Sequence, residues 1–478
     1  MQSKTNSPPV VLHQSVFSDT WIGRIRIFDR TLAERIPNPS VLVRYAIIAG
    51  VLAASFGLSL LSVVQEDKLL LMAAVVASLM AVGFFLRMGK VELGVLALIP
   101  IATLMNFYSL PTGTQSRIVL SLLVGLGLVG LWLVQVIFLR KGQPRLVASP
   151  VNAPLLLFVI ASLLSFPWGI AMRDPLVTVQ SSFVVVQIAA LLVIVLLPLL
   201  ALLVANEIKE ISWLKRMTWV LIGIGAWIIF CVLLNIPLDS MFNSGYRGLF
   251  ATWVCALALA MALFHRGLRA WQRGGLVAIA GAWFYYDFFL HNIWFSGWVP
   301  IGVACLVLVF LRSKKVFAGV MLAIALLAAA NTGWIYENLY QAKINNGDAE
   351  RLGLWQNNLD IILAHPLLGV GPAGYAVYYM TYHPQDARST HNNYFDIVAQ
   401  TGVIGFGFFI WMIAAFLWVG IKVVRLTHRE GSFEEGFAAA CVAGMAGLLV
   451  AMLLGDWVLP FAYNQTITGF DNDHEKQG

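Results

Sequence analysis

From residue 42 to residue 459 the chain repeats one pattern, an apolar run of bilayer-crossing length followed by a short charged turn. Hydrocarbon offers a peptide group no hydrogen-bond partner, so runs of about twenty apolar residues satisfy their own backbone as helices. The expected fold is all-α, a polytopic integral membrane protein with about thirteen transmembrane helices. They are read at 42–64, 69–86, 91–108, 118–139, 151–171, 177–205, 214–235, 248–265, 275–291, 296–312, 315–333, 396–421 and 436–459. Of 478 residues, 59% are apolar and 12% charged, about half the charged share of a soluble domain, which excludes a soluble globular enzyme.

The positive charges test that count. After a basic N-terminus they gather around Arg87, Arg140, Lys215, Arg269, Lys314 and Arg425, in every second loop. Under the positive-inside rule those loops are cytoplasmic and the others lie outside. The formal charge of +7 therefore serves topology, and no nucleic acid is expected as a partner. Residues 1–40 read as a cytoplasmic tail with an interfacial helix through Phe17, Trp21, Ile25 and Phe28. Eleven spans follow over 41–333, then a large extracytoplasmic helical loop over 334–395, two spans over 396–460 and an outer tail over 461–478. Cys231, Cys255, Cys305 and Cys441 lie irregularly spaced in apolar runs, the pattern of neither a disulfide framework nor a zinc site.

The interval from Asn331 to Asp396 breaks the rhythm, and connections that long are usually functional. Leu352, Trp355, Leu359 and Ile362 mark one face of a helix from Ala349 to Leu363, with Asp348 as its cap and Pro366 beyond its end. Gly369, Gly371 and Gly374 follow in a turn whose glycines permit positive φ or a close backbone approach to a ligand. Ser389 or Thr390 then caps a helix that begins near His391. The positive end of a helix disfavours imidazolium and keeps the ring neutral, as a general base requires. A lone histidine at a helix start is also commonly a cap or a surface residue, so position alone assigns no catalysis.

On the same expected side stand Arg247, at the outer end of the eighth span, and Arg351. Arg117, Arg173, Asp174, His291, Asn292 and Asp456 are lesser candidates. Interfacial arginines commonly snorkel to headgroup phosphates. An arginine outside nevertheless runs against the topological bias, and a phosphate-bearing ligand supplies the reason, because guanidinium presents a fork matched to phosphate oxygens. Asp239, Asp348, Glu350, Asp386 and Asp456 are scattered rather than paired, so neither a metal, a cofactor nor a two-carboxylate glycosidase is expected.

Taken in order, these residues resemble a known family. Arg351 with Trp355, His365-Pro366-Leu367-Leu368-Gly369-Val370-Gly371, His391-Asn392 with Tyr394, and Thr401-Gly402 with Ile404-Gly405 are similar to the signature of the O-antigen ligase and Wzy polymerase superfamily. Tyr246-Arg247-Gly248-Leu249-Phe250 resembles that family's arginine element. The chain departs from the pattern at Thr252-Trp253, where the family often has Pro-Asn, and at Phe295-Ser296-Gly297, where it often has Ser-Arg-Gly. The resemblance implies a GT-C-like, metal-independent, inverting glycosyltransferase at the outer face of a bacterial inner membrane. Its donor is a glycan on undecaprenyl diphosphate and its acceptor a saccharide or lipid-linked hydroxyl, with membrane lipids and chain-length or assembly proteins as further partners. His391 is the implied base, Arg247 and Arg351 neutralise the leaving diphosphate, Asn392 orients His391, and Trp355, Gly369, Gly371 and Tyr375 shape the sugar site.

Three other readings stay open on sequence alone: transfer to a protein acceptor, a transporter or lipid-glycan flippase, and a scaffold for polysaccharide assembly. A transporter calls for charge or broken helices near mid-membrane.

Overall fold

A computed structural model describes residues 91–104, 109–111, 117–136, 146–179, 183–236, 249–290, 295–337, 348–383, 390, 392–455 and 457. In chain order these form α1 (Val91–Leu104), β1 (Ser109–Pro111), β2 (Arg117–Val119), α2 (Leu120–Val134), α3 (Asn152–Ala171), α4 (Phe183–Glu207) and α5 (Ile211–Leu233). Then come α6 (Leu249–Phe264), α7 (Ala270–Tyr285) with a π turn at Tyr286–Leu290, α8 (Phe295–Arg312), α9 (Lys314–Ala330) and α10 (Thr332–Ile335). The last are α11 (Asp348–Ala364), α12 (Gly374–Tyr382), α13 (Asn393–Leu426) and α14 (Phe433–Leu454). The two short strands pair antiparallel with Ser109 opposite Val119. Among the described residues everything else of regular structure is helical.

Among the described residues six helices, α3, α4, α5, α8, α13 and α14, are long and apolar enough to cross a membrane, and α1, α2 and α6 are shorter apolar helices. The expected spans at 42–64 and 69–86, the interfacial helix and the outer tail lie outside the described residues. α7 and α9, at 16 and 17 residues, fall short of about 30 Å of hydrocarbon, although the π turn lengthens α7. Between α10 and α13 lie α11 and α12, neither of which is such a span. α9 buries no residue, and Leu322 and Leu327 on it are 61% and 64% exposed. In water that surface would aggregate; against lipid it is ordinary. The chain is built as an integral membrane protein.

Two cores organise the bundle. Leu128, Trp132, Leu155, Phe158, Leu203 and Phe409 join α2, α3 and α4 to α13. Ile222, Met261, Leu308 and Ala443 join α5, α6 and α8 to α14. α14 lies between the halves because its small residues admit neighbours closely, as membrane helices require where no hydrophobic drive separates protein from lipid. A Cβ on Gly444 would sit 2.4 Å from the Trp253 ring, and one on Gly420 of α13 would sit 2.8 Å from Val442.

Candidate functional site

The glycine-rich turn is joined to a break in a helix. α13 is interrupted at Gly402, where φ is 66° and ψ −175°, and the turn of Pro366 to Gly371 enters the gap. Val370 N–H donates to the Ala399 carbonyl at 2.8 Å and Val403 N–H donates to that of Pro366 at 2.8 Å, so carbonyls and amides freed by the break are paired across it. Glycine is required on both sides. A Cβ on Gly402 would lie 2.1 Å from the Leu367 carbonyl oxygen, and one on Gly369, at φ 69°, would lie 2.3 Å from that of Ala399. Gly371, at φ 82°, approaches the Ser165 carbonyl and Gly169 of α3. The close approach that these glycines allow is therefore made to protein backbone. Ala373 takes φ 55°, uncommon for alanine, and its N–H donates to the buried Gln400 Oε1 at 3.0 Å. Tyr375 is buried in the small core beneath this turn, with Leu354, Ile361 and Tyr379.

α13 starts later than expected. Its cap is Asn392, whose Oδ1 accepts from Tyr394 N–H at 3.0 Å, so neither Ser389 nor Thr390 is the cap and the helix begins at Asn393. Asn392, expected to orient His391, thus commits its oxygen to the helix. His391 and Arg247 lie outside the described residues, and of Arg351 the structure describes the backbone, in the first turn of α11.

α11 packs by a face that periodicity did not give. The sequence placed Leu359 on the inner face; it is 46% exposed, and the buried stripe runs instead through Leu354, Asn358, Ile361 and Ile362. A polar residue takes the inward position, which hydrophobic periodicity does not reveal. Helical register sets residue 351 one turn before Trp355 and two before Asn358. The Trp355 indole N–H donates to the Thr390 carbonyl at 2.9 Å, and its ring stacks on Phe395 at 5.6 Å. The helix carrying Arg351 is thus bonded to the chain neighbour of His391.

A second polar group lies where α3 ends. Asp174 and Tyr382 share a short hydrogen bond, Asp174 N–H donates to Tyr378 Oη at 2.9 Å, and the His365 ring meets the Tyr378 ring edge-on at 5.0 Å. The Tyr382 hydroxyl and the Leu176 N–H hold the Asp174 carboxyl below its usual range, and the same carboxylate pushes the Tyr382 phenol up to about 12. Burial lowers the His365 pKa, partly offset by Asp174. This couples α12 to the loop after α3, beside the glycine turn.

The elements that lead from the candidate residues meet at one end of the bundle. Trp457 N–H, after α14, donates to Asn393 Oδ1 at 2.7 Å, and Tyr394 Oη donates to the Leu449 carbonyl at 2.9 Å. On α14 a Cβ at Gly447 would lie 2.7 Å from Thr252, in the first turn of α6, just after Arg247. Sequence reasoning missed Asp287, which is 3% exposed in the π turn after α7. That turn adjoins the start of α6: Phe250 meets Trp283 at 5.9 Å and Trp283 meets Tyr286 at 6.3 Å. Its signal was available, a lone carboxylate inside an apolar run, and such residues favour functional sites.

Residues 272–410 match a family model described as O-antigen ligase. The match takes in Arg351, Trp355, Gly369, Gly371, Tyr375, His391 and Asn392, begins after Arg247, and supports the superfamily resemblance carried by the motifs. No curated protein matches the chain.

Proposed function

We propose that this membrane protein, with its O-antigen ligase segment, transfers a glycan from undecaprenyl diphosphate to an acceptor hydroxyl at the outer face of a bacterial inner membrane. His391 takes the proton from the acceptor hydroxyl as it attacks the anomeric carbon from the side opposite the diphosphate, so configuration inverts. The bond from that carbon to the diphosphate breaks, and Arg247 and Arg351 neutralise the charge gathering on the departing oxygens. Neither step calls for a metal. Ligase and polymerase share this donor chemistry and differ in the acceptor, a lipid-anchored core sugar or a growing lipid-linked chain.

The observation that supports this reading best is the bond from Trp355 to the Thr390 carbonyl. It ties the helix of one proposed phosphate-binding arginine to the residue that precedes the proposed base. Purified protein incubated with a polyprenyl-diphosphate oligosaccharide and an acceptor glycan should release polyprenyl diphosphate, with EDTA without effect. Arg351→Ala and His391→Ala should each slow that release by about 100-fold or more. Turnover that survives both substitutions sinks the assignment, and movement of the lipid-linked glycan across vesicles without bond formation points to transport.

A further inference from the structure

Asp396 is buried to 1% exposure one turn into α13, and its carboxylate accepts hydrogen bonds from Thr390 and Asn393, residues that lie before and after His391 in the chain. The Thr390 hydroxyl donates to Asp396 Oδ1 at 2.7 Å and Asn393 Nδ2 donates to Oδ2 at 3.3 Å. Asn392 N–H in turn donates to Thr390 Oγ1 at 3.3 Å. Thr390 is thus held at its hydroxyl by α13 and at its carbonyl by Trp355 of α11, while Asn393 is held at its amide oxygen by the chain after α14.

Capping alone does not explain this web, because Asn392 already serves the free N–H of Tyr394. A buried carboxylate costs several kcal/mol unless it is hydrogen-bonded, and an apolar residue would fill the space without that cost. Its position suits an anion, since the positive end of the helix lies beside it. What the carboxylate adds is rigidity at Thr390, directly, and at Asn392, through the Thr390 hydroxyl that accepts its N–H. Reactions that depend on near-attack geometry are sensitive to this: a shift of about 1 Å costs on the order of 100-fold in rate.

We infer that Asp396, acting through Thr390, is a positioning residue that fixes the backbone on either side of His391 for proton abstraction. The inference rests on the functional reading above, in which His391 is the base.

Thr390→Val keeps the volume and removes the hydroxyl link, Thr390→Ser keeps the link, and Asp396→Asn removes the charge. With full-length protein and a polyprenyl-diphosphate oligosaccharide as donor, Thr390→Val and Asp396→Asn should lower kcat by about 10- to 100-fold with donor KM unchanged. Thr390→Ser should restore kcat to near that of the unaltered protein. Should Asp396→Asn fail to fold, the Thr390 pair decides the matter alone. Unaltered kcat in Thr390→Val, measured where His391→Ala is inactive, overturns the positioning role and leaves the functional reading standing. So does a loss that Thr390→Ser does not rescue, or one that falls on KM. Turnover that persists in His391→Ala, or none in the unaltered protein, overturns the functional reading and the positioning role with it.

Discussion

Two long helices in this protein begin in the same way and do different things with it. α13 and α14 each start with a capping side chain, Asn392 and Ser432, and each carries a buried carboxylate in its opening turns, Asp396 and Glu435. Glu435 accepts from the backbone N–H groups of Arg429 at 3.0 Å and of Gly431 at 2.8 Å, closing the tight turn between the two helices. Arg429 and Gly431 take φ of 73° and 67° there, so the carboxylate stabilises a chain reversal. Asp396 receives side chains instead, and those side chains bracket His391. A carboxylate spent on backbone shapes a fold; one spent on the neighbours of a candidate base shapes a site.

The largest expected effect tests that distinction directly. His391→Ala should lower kcat by about 100- to 10,000-fold, the range of a lost general base, with the melting temperature in detergent unchanged. Glu435→Gln should do the converse, keeping kcat and lowering unfolding free energy by about 1–3 kcal/mol as its two amide donors lose a charged acceptor. If Glu435→Gln instead damages turnover at unchanged stability, the contrast between the two helix starts collapses.

Gly402→Ala addresses the joint that both halves of α13 share. Its Cβ would meet the Leu367 carbonyl oxygen, and positive φ adds strain of about 1–3 kcal/mol, so yield and melting temperature should both fall. Gly407, with no atom near its would-be Cβ, is the control, and alanine there should be tolerated. Equal tolerance at both positions would mean that the joint is not rigid.

The smallest expected effect is an acid dependence. Asp174 and His365 both have folded pKa values below their usual ones, so the unfolded chain binds protons first as pH falls. The His365 contribution is complete above about 6.5 and is lost as pH drops toward its lower folded value, and that of Asp174 goes further down, below about 4. Melting temperature should decline modestly on acidification from pH 7, and His365→Gln should flatten the upper part of that decline. Solvent screening at the half-buried Asp174 keeps its share small.

Much of the architecture could be read from the chain by itself. A peptide group in hydrocarbon has no partner but its own helix, so the apolar runs had to be helices, and the order of Arg351, Trp355, the glycine turn and His391 was visible as spacing. The family resemblance also rested on local motifs, and a match over 272–410 supports it. The turn between Pro366 and Gly371 needed glycine, and that too was legible.

Tertiary structure alone decided what the glycines approach, which residue caps α13, that Asn358 rather than Leu359 faces inward, and which groups Asp396 serves. These depend on contacts between segments far apart in sequence. Gly402 meets Leu367, Trp355 meets Thr390, and Trp457 meets Asn393. Periodicity reports which face of a helix is apolar; it carries no information about which polar atom of another segment completes a buried hydrogen bond, because that choice is made only when the helices pack.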